Sequence, residues 1–326
     1  MADLKEQFIA RAQAKCPTVV FPEAESETIA IAAVEADKMG VCKAVLLGDP
    51  TQIAASGADT SAVTIIDVDN DPARVTELAR IYADREDFPV EAAESMLTDK
   101  IAFACMMVAA GQADAVVCGY TCATADAVLA AQEYIGLAPD ASIPSAYVIV
   151  QPDNFDGGVD GMLVYADPVM VIQPSAEDLA SIALNTAASV ESLLGWEPRV
   201  ACLSFSTKGS GGTHPDAEKV REAVRLARVA RPGLLIDGEL QLDAAIVPRV
   251  AEKKIKGENL LKGDANILIF PDVDAGNITV KATQLFANGG GTFAVMCGFA
   301  KPVGELSRNS NVDGIIFSTA VTAAQC

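Results

Sequence analysis

Ser206, Thr207, Lys208, Gly209 and Ser210 are consecutive, inside the stretch 200–212, VACLSFSTKGSGG. Short hydroxyls, an ammonium and glycines in one loop are residue types that hold an anion. Hydroxyls donate single hydrogen bonds, lysine adds a full charge, and glycine lets backbone amides approach a ligand closely. The apolar run before the loop has β character, and the stretch after it, Pro215–Ala230, has helical periodicity. A helix start leaves its first N–H groups without internal partners and places partial positive charge beside them. Strand, small-residue loop and helix start together read as a phosphate-type site, with Ser206, Thr207, Lys208, Gly209 and Ser210 as its donors. A plain strand-to-helix connection uses the same residues and stays open as the alternative. GxxxxGK[ST] is absent, and His214 stands where the last glycine of a GxGxxG pattern begun at Gly209 and Gly211 would fall. His214 is the single histidine of the chain. It precedes a helix start, so a capping or surface role is expected of it.

Such a loop needs a sheet to carry it. In chain order, residues 3–15 read as a helix, 18–21 as a β-branched strand, and 26–39 as a helix stopped by Gly40. Residues 44–47 and 63–68 read as strands, 72–84 and 90–111 as helices, and 115–118 as a strand. A loop of small residues, 119–125, then leads into a helix over 126–134. Strands alternating with helices predict parallel βαβ units, whose ligands collect at the carboxyl ends of the strands. A second region starts at 144–150 and continues through a Pro- and Gly-bearing loop at 151–161 and an apolar run at 162–165. Ser175 is placed to cap a helix over 176–194, which Gly195 ends. Past the anion loop come strands at 234–236 and 266–270 and a helix to 286. A GGGT turn at 289–292 and a strand at 294–297 follow. The end of the chain reads as a loop and a terminal helix.

The composition bounds what this framework does. The 326 residues suggest two domains, and 51% apolar residues suffice for sizeable cores. No apolar run is long enough to span a bilayer, and the charged N-terminal segment lacks the apolar centre of a signal peptide, so a cytoplasmic location is expected. A formal net charge of −20 argues against nucleic acid and membrane partners, and any anionic substrate must be met by a local positive site. The eight cysteines form no CxxC pair, so neither a metal site nor a disulfide framework is expected, and most should be small buried hydrophobes.

At this point the chain resembles the phosphate acetyl/butyryltransferases, in particular the phosphate acetyltransferases, as a divergent member. The resemblance rests on VVFPEAESE at 19–27, GQADAVVCGYTCATAD at 111–126, STKGSG at 206–211 and PDAEKVREA from 215. IDGELQLDAAIVP at 236–248, ANILIFPDVDAGNI at 265–278 and KPVGELSR at 301–308 complete it. It implies an isocitrate- and isopropylmalate-dehydrogenase-like fold: two doubly wound α/β domains with a cleft between them, 1–142 plus 300–326 and 143–299. It implies a homodimer and a place in acetate metabolism. The implied reaction is acetyl-CoA plus phosphate giving acetyl phosphate plus CoA, with coenzyme A as substrate and no metal or other cofactor. In the family, Ser-Arg of the last motif sits at the reacting centre, which implies phosphate charge neutralisation by Arg308 and hydrogen bonding to the reacting carbonyl or thiol by Ser307. Arg85 is matched loosely to a phosphate-binding arginine, with a solvated helix arginine as its alternative, and Asn277 joins the 206–210 loop in substrate binding.

The same comparison exposes departures. An arginine that contacts phosphate in the family is Leu129 here, and the Gly-Cys after Ser-Arg is Asn309 and Ser310. The position of the proposed base, an aspartate, holds Gly314, with Asp313 beside it as the substitute. The Gln and Asn ahead of the last motif are Cys297 and Ala300. One lost charge-assisted contact costs roughly 1.5–3 kcal/mol. A thiol of pKa about 8.5 is already a few per cent ionised at neutral pH, so losing a base slows the reaction without forbidding it. Three readings follow: an acetyl- or short-acyl transferase, including a propionyl or butyryl specialist; a non-catalytic acyl-CoA-binding relative; and a hydroxy-acid dehydrogenase. The last lacks a nucleotide fingerprint and a set of metal-binding aspartates.

Overall fold

The computed structural model describes residues 2–289 and 294–326, with the side chains of Ala2 and Asp3 left aside. The GGGT turn expected at 289–292 therefore lies, beyond Gly289, outside the described residues. The chain divides into two compact units, Met1–Ala138 with Phe299–Cys326, and Pro139–Gly298.

The first unit opens with α1 (Ala2–Lys15), β1 (Thr18–Phe21), α2 (Glu27–Lys38), β2 (Lys43–Leu47), α3 (Pro50–Ala55) and β3 (Thr64–Ile66). It continues through α4 (Pro72–Glu86), α5 (Val90–Met96), α6 (Lys100–Ala109), β4 (Ala115–Cys118) and α7 (Thr124–Ala130), which a π turn extends over Ala131–Ile135. The single helix expected over 90–111 is two. Asp99 accepts from the N–H groups of Ile101 and Ala102, a cap that starts α6 where Thr98, Asp99 and Lys100 interrupt the apolar pattern. The strand expected over 63–68 is shorter, because Val68–Asn70 turns away as a 3-10 helix, and α3 was not anticipated.

The second unit holds β5 (Ser145–Val150), β6 (Leu163–Ala166), α8 (Ala176–Leu194), β7 (Arg199–Leu203), α9 (Pro215–Ala230) and β8 (Leu235–Leu240). Then come α10 (Leu242–Ile246), α11 (Pro248–Lys254), β9 (Ile267–Ile269), α12 (Val273–Phe286) and β10 (Val295–Cys297). The chain returns to the first unit with β11 (Val303–Glu305) and α13 (Val312–Gln325). In α8 the expected cap is present in full: the Asp178 N–H donates to Ser175 Oγ and the Ser175 N–H to Asp178 Oδ2, and Gly195 ends the helix left-handed at φ 69°.

The first unit's sheet is parallel throughout, in the order β11-β4-β1-β2-β3. The chain steps outward from β1 to β3, then returns to β4 on the other side of β1, so direction reverses between β1 and β4. Both faces are covered. Val20, Leu47, Val116 and Val303 pack against α4, α5 and α6, while Val19, Phe21, Leu46 and Val117 pack against α2 and α13. Strands buried on both sides explain the continuous apolar runs of the sequence.

The second unit's order is β10-β5-β6-β9-β7-β8. β6, β9, β7 and β8 are parallel, and β5 runs antiparallel to both β6 and β10. β8 is longer than the three residues expected. Its register against β7 slips, from Ala201 opposite Asp237 to Leu203 opposite Leu240, so Gly238 and Glu239 of β8 together face Cys202 of β7. Gly238 sits in this bulge, where a Cβ would meet the Cys202 carbonyl oxygen at 2.9 Å.

Among the described residues, no helix is long and apolar enough to cross a membrane. All eight cysteines are free, and Cys42, Cys105, Cys118, Cys202 and Cys297 are buried.

Candidate active site

In the first unit the reversal of strand order places the carboxyl ends of β1, β4 and β11 side by side, the position where parallel sheets collect ligands. Three loops meet there. The β1 loop carries Glu23, the β4 loop runs from Gly119 to Thr124, and the β11 loop carries Ser307, Arg308 and Asn309, all three exposed. The Arg308 Nε–H donates to the Cys122 carbonyl at 3.4 Å. Among the described residues, Arg308 forms no ion pair. The Asn309 N–H reaches Ser307 Oγ at 3.4 Å, and the Ser310 N–H donates to the Ser307 carbonyl at 2.9 Å, which bends the chain into α13. Asn311 caps that helix, accepting from the Gly314 N–H at 2.9 Å. Asp313 is exposed in the first helical turn, where the helix dipole favours its charge. Ser307 and Arg308 thus lie just ahead of the helix whose first turn carries Asp313.

Glu305, at the end of β11, accepts from Thr124 Oγ1 at 2.6 Å. Burial raises its carboxyl above the usual range, and the neighbouring charge of Glu23 adds to the rise. Beside Glu23 lies a cleft of about 620 Å³, lined in part by Glu23, Ser26, Thr98, Lys100 and Thr121. Lys100 Nζ is 2.6 Å from Glu25 Oε1, and this hydrogen bond is the main reason the Glu25 carboxyl is held below its usual range.

Arg85 is placed apart. Its guanidinium donates to the carbonyls of Tyr134 (2.6 Å) and Glu133 (3.1 Å) and to Glu86 Oε1 (2.6 Å), closing the end of the π turn. Arg308 instead touches Cys122, in the loop ahead of α7, so the two arginines contact opposite ends of the segment 122–134. The sequence reading missed Glu23, Thr124 and Glu305. For Glu23 the available signal was an acidic residue just past an apolar strand, β1; Glu305 lies within a stretch that carries no strand pattern.

In the second unit the loop after β7 has the expected place between strand and helix, and internal anions engage its donors. The β8 bulge presents Asp237 and Glu239, 0% and 1% exposed. Lys208 Nζ bonds Asp237 Oδ1, which also accepts from Arg228 Nη2 at 3.0 Å. Glu239 Oε1 accepts from Ser206 Oγ (2.7 Å), the Gly209 N–H (2.8 Å) and Arg221 Nη1 (3.0 Å). Burial pushes the Glu239 carboxyl up, but these donors overcome it and hold it below its usual range. Thr207 exchanges hydrogen bonds with Gln241, and Ser210 Oγ accepts from the Thr207 N–H. The free lysine charge read from the sequence is thus paired, because a buried carboxylate faces it. His214 caps α9, accepting from the Asp216 N–H at 3.3 Å. Asn277, on α12, donates to the Pro168 carbonyl at 3.1 Å. Asp237 and Glu239 were also missed, although carboxylates inside a β run flag buried partners. Among the described residues, no group of His, Cys, Asp or Glu is arranged to hold a metal ion.

Comparison with known proteins supplies the remaining finding. The family described as Phosphate acetyl/butaryl transferase matches residues 3–323. A phosphate acetyltransferase of Acetivibrio thermocellus is 38% identical over 324 residues, covering 98% of this chain and 97% of its own. The solved EutD phosphotransacetylase from Staphylococcus aureus superposes with a TM-score of 0.88 at 33% identity, covering 99% of this chain and 98% of the other. A 4-hydroxythreonine-4-phosphate dehydrogenase from Klebsiella pneumoniae shares the fold alone, with a TM-score of 0.52 at 11% identity over 95% of this chain and 99% of the other.

Proposed function

The chain belongs to the phosphate acetyl/butaryl transferase family, and from that premise we propose an acyltransferase that moves an acetyl group between coenzyme A and inorganic phosphate. Phosphate oxygen attacks the thioester carbonyl carbon, the C–S bond breaks, and coenzyme A leaves as a thiolate that takes up a proton. Arg308 carries the phosphate charge. What supports this role is its contact with a neutral carbonyl, which leaves the charge available to an anion. Ser307 donates to the reacting oxygen or thiol, and the amides at the start of α13 add partial positive charge. Asp313 takes the proton in the direction that starts from free thiol. The 206–210 loop and Asn277 shape the substrate surface of the second unit, with Lys208 contributing little net charge. Coenzyme A acts as a substrate, and the reaction uses no metal or redox cofactor.

The observation that carries this reading is the pair Ser307–Arg308 at the carboxyl end of β11, inside a family match that spans the chain. A second reading, transfer of a propionyl or butyryl group, is favoured by Leu129, an apolar residue 63% exposed on α7. The enzyme acts in the cytoplasm, in acetate metabolism, as a homodimer. Ile278, Leu285 and Phe286 on α12, 65%, 75% and 87% exposed, support an apolar contact surface.

A thiol-release assay with acetyl-, propionyl- and butyryl-CoA, with and without phosphate, tests the assignment. Phosphate-dependent release is expected, fastest with acetyl-CoA. Coenzyme A binding without release from any of the three would leave a non-catalytic relative.

A further inference from the structure

In doubly wound sheets, the crevice where strand order reverses usually receives an external anion on backbone amides. Here the protein supplies the anion itself. The Glu23 carboxylate lies at that crevice and is 8% exposed. Its Oε2 accepts from the Tyr120 N–H at 3.0 Å. Its Oε1 accepts from the Thr121 N–H (2.5 Å), Thr121 Oγ1 (2.6 Å) and the Cys122 N–H (3.1 Å). Three consecutive amides therefore converge on one side chain, and the third belongs to the residue whose carbonyl holds Arg308.

We propose that Glu23 is a positioning residue for the transfer reaction: by filling the amide nest of the β4 loop it fixes the Cys122 carbonyl, and through it the direction of the Arg308 guanidinium. The inference rests on the function proposed above. The geometry has two consequences. Substrate phosphate cannot occupy the amides between β1 and β4, because a carboxylate already does. It is directed instead to the β11 side, where the arginine stands. Glu305 closes the far end of the same loop through Thr124, so the segment from Tyr120 to Thr124 is held at both ends by acidic side chains. Glu23 acts on the reaction only through this loop.

Glu23→Gln preserves size but replaces one acceptor oxygen with a donor NH2, which must face an N–H group of the loop. In purified full-length protein, the expected result is at least a fivefold rise in KM for phosphate, with KM for acetyl-CoA within twofold of the parent. In an Arg308→Lys background the same change should raise the phosphate KM less than twofold, because the two substitutions remove one shared arrangement. Equal rises in both KM values, or effects that multiply in the double variant, would overturn the proposal. A readout independent of turnover is modification of Arg308 by phenylglyoxal, followed by peptide mass spectrometry. Glu23→Gln should change that rate at least threefold, and an unchanged rate rejects the idea even if the parent protein transfers no acetyl group. In that event the functional reading fails while the role of Glu23 is still decided. If Glu23→Gln does not fold, Thr121→Val removes one donor from the carboxylate and should shift the Arg308 modification rate in the same direction, about twofold. No shift would likewise count against it.

Discussion

Two loops of similar chemistry meet opposite neighbours. Residues 206–210 and 307–310 each follow a strand, each carry serines and one cation, and each precede a long helix. In the second unit the next strand, β8, bulges at Gly238 and turns two carboxylates toward the loop, so Lys208 is neutralised from within. In the first unit β11 ends in one carboxylate that faces Thr124, and Arg308, among the described residues, meets a carbonyl and no carboxylate. The composition of a loop states what donors exist, and the strand beside it decides whether they remain available.

The comparison breaks most readily at Asp237. Asp237→Ala leaves Lys208 and Arg228 without their shared buried partner, and a loss of about 3–5 kcal/mol is expected in urea unfolding. A loss below about 1 kcal/mol would mean that the loop cation is not held by the strand. Arg308→Ala is expected to lower kcat/KM for phosphate by about 10- to 150-fold, which corresponds to about 1.5–3 kcal/mol, with little change in Tm. Near-normal turnover would remove Arg308 from the site. Lys208→Met should reverse that pattern, costing about 1–3 kcal/mol of stability while phosphate kinetics stay within threefold. A tenfold kinetic loss at unchanged stability would return Lys208 to the substrate.

The smallest effects concern two carboxylates shifted in opposite directions. Glu239 is held below its usual range, so it stabilises the fold above that range, and the contribution disappears as pH falls through its lowered value. Glu239→Gln should therefore destabilise at pH 7, with the difference narrowing in acid. Glu305 is raised, so the folded state binds its proton more tightly than the unfolded chain does, and stability declines as pH rises through the carboxylate range. Glu305→Gln should raise Tm at pH 7 and lose that advantage at low pH. Melting curves of both variants from pH 3 to 8 check the two signs together, and the same sign for both would refute the contrast.

Local rules carried much of the architecture. The Ser175 box and Gly195 bound α8 at the residues expected, since capping is settled by neighbours in sequence. Asp99 shows the opposite case, where a cap in the polar break Thr98–Lys100 outweighed the helical periodicity on either side. β11 went unread because three residues containing Gly304 and following Pro302 carry no strand pattern. The short strand is secured by α13, which approaches until a Cβ on Gly304 would meet Thr322 Oγ1. The pairing of Lys208 with Asp237 was equally hidden. It depends on a register slip between β7 and β8, and 29 residues separate the partners in the chain. Ser307, Arg308 and Asp313 were named from the KPVGELSR motif and the residues just after it, all within one short stretch. The acceptor of Arg308 lies 186 residues away, which no local pattern encodes.

The return of the chain to its first unit has a consequence for biosynthesis. Residues 139–298 are contiguous and complete their own sheet, so that unit can fold as it leaves the ribosome. The other sheet must wait with the β4 edge unpaired until its last strand emerges, and the same late segment delivers Ser307 and Arg308. Until that strand pairs, the nascent polypeptide carries one adhesive margin uncovered, and Val303–Glu305 closes it against β4.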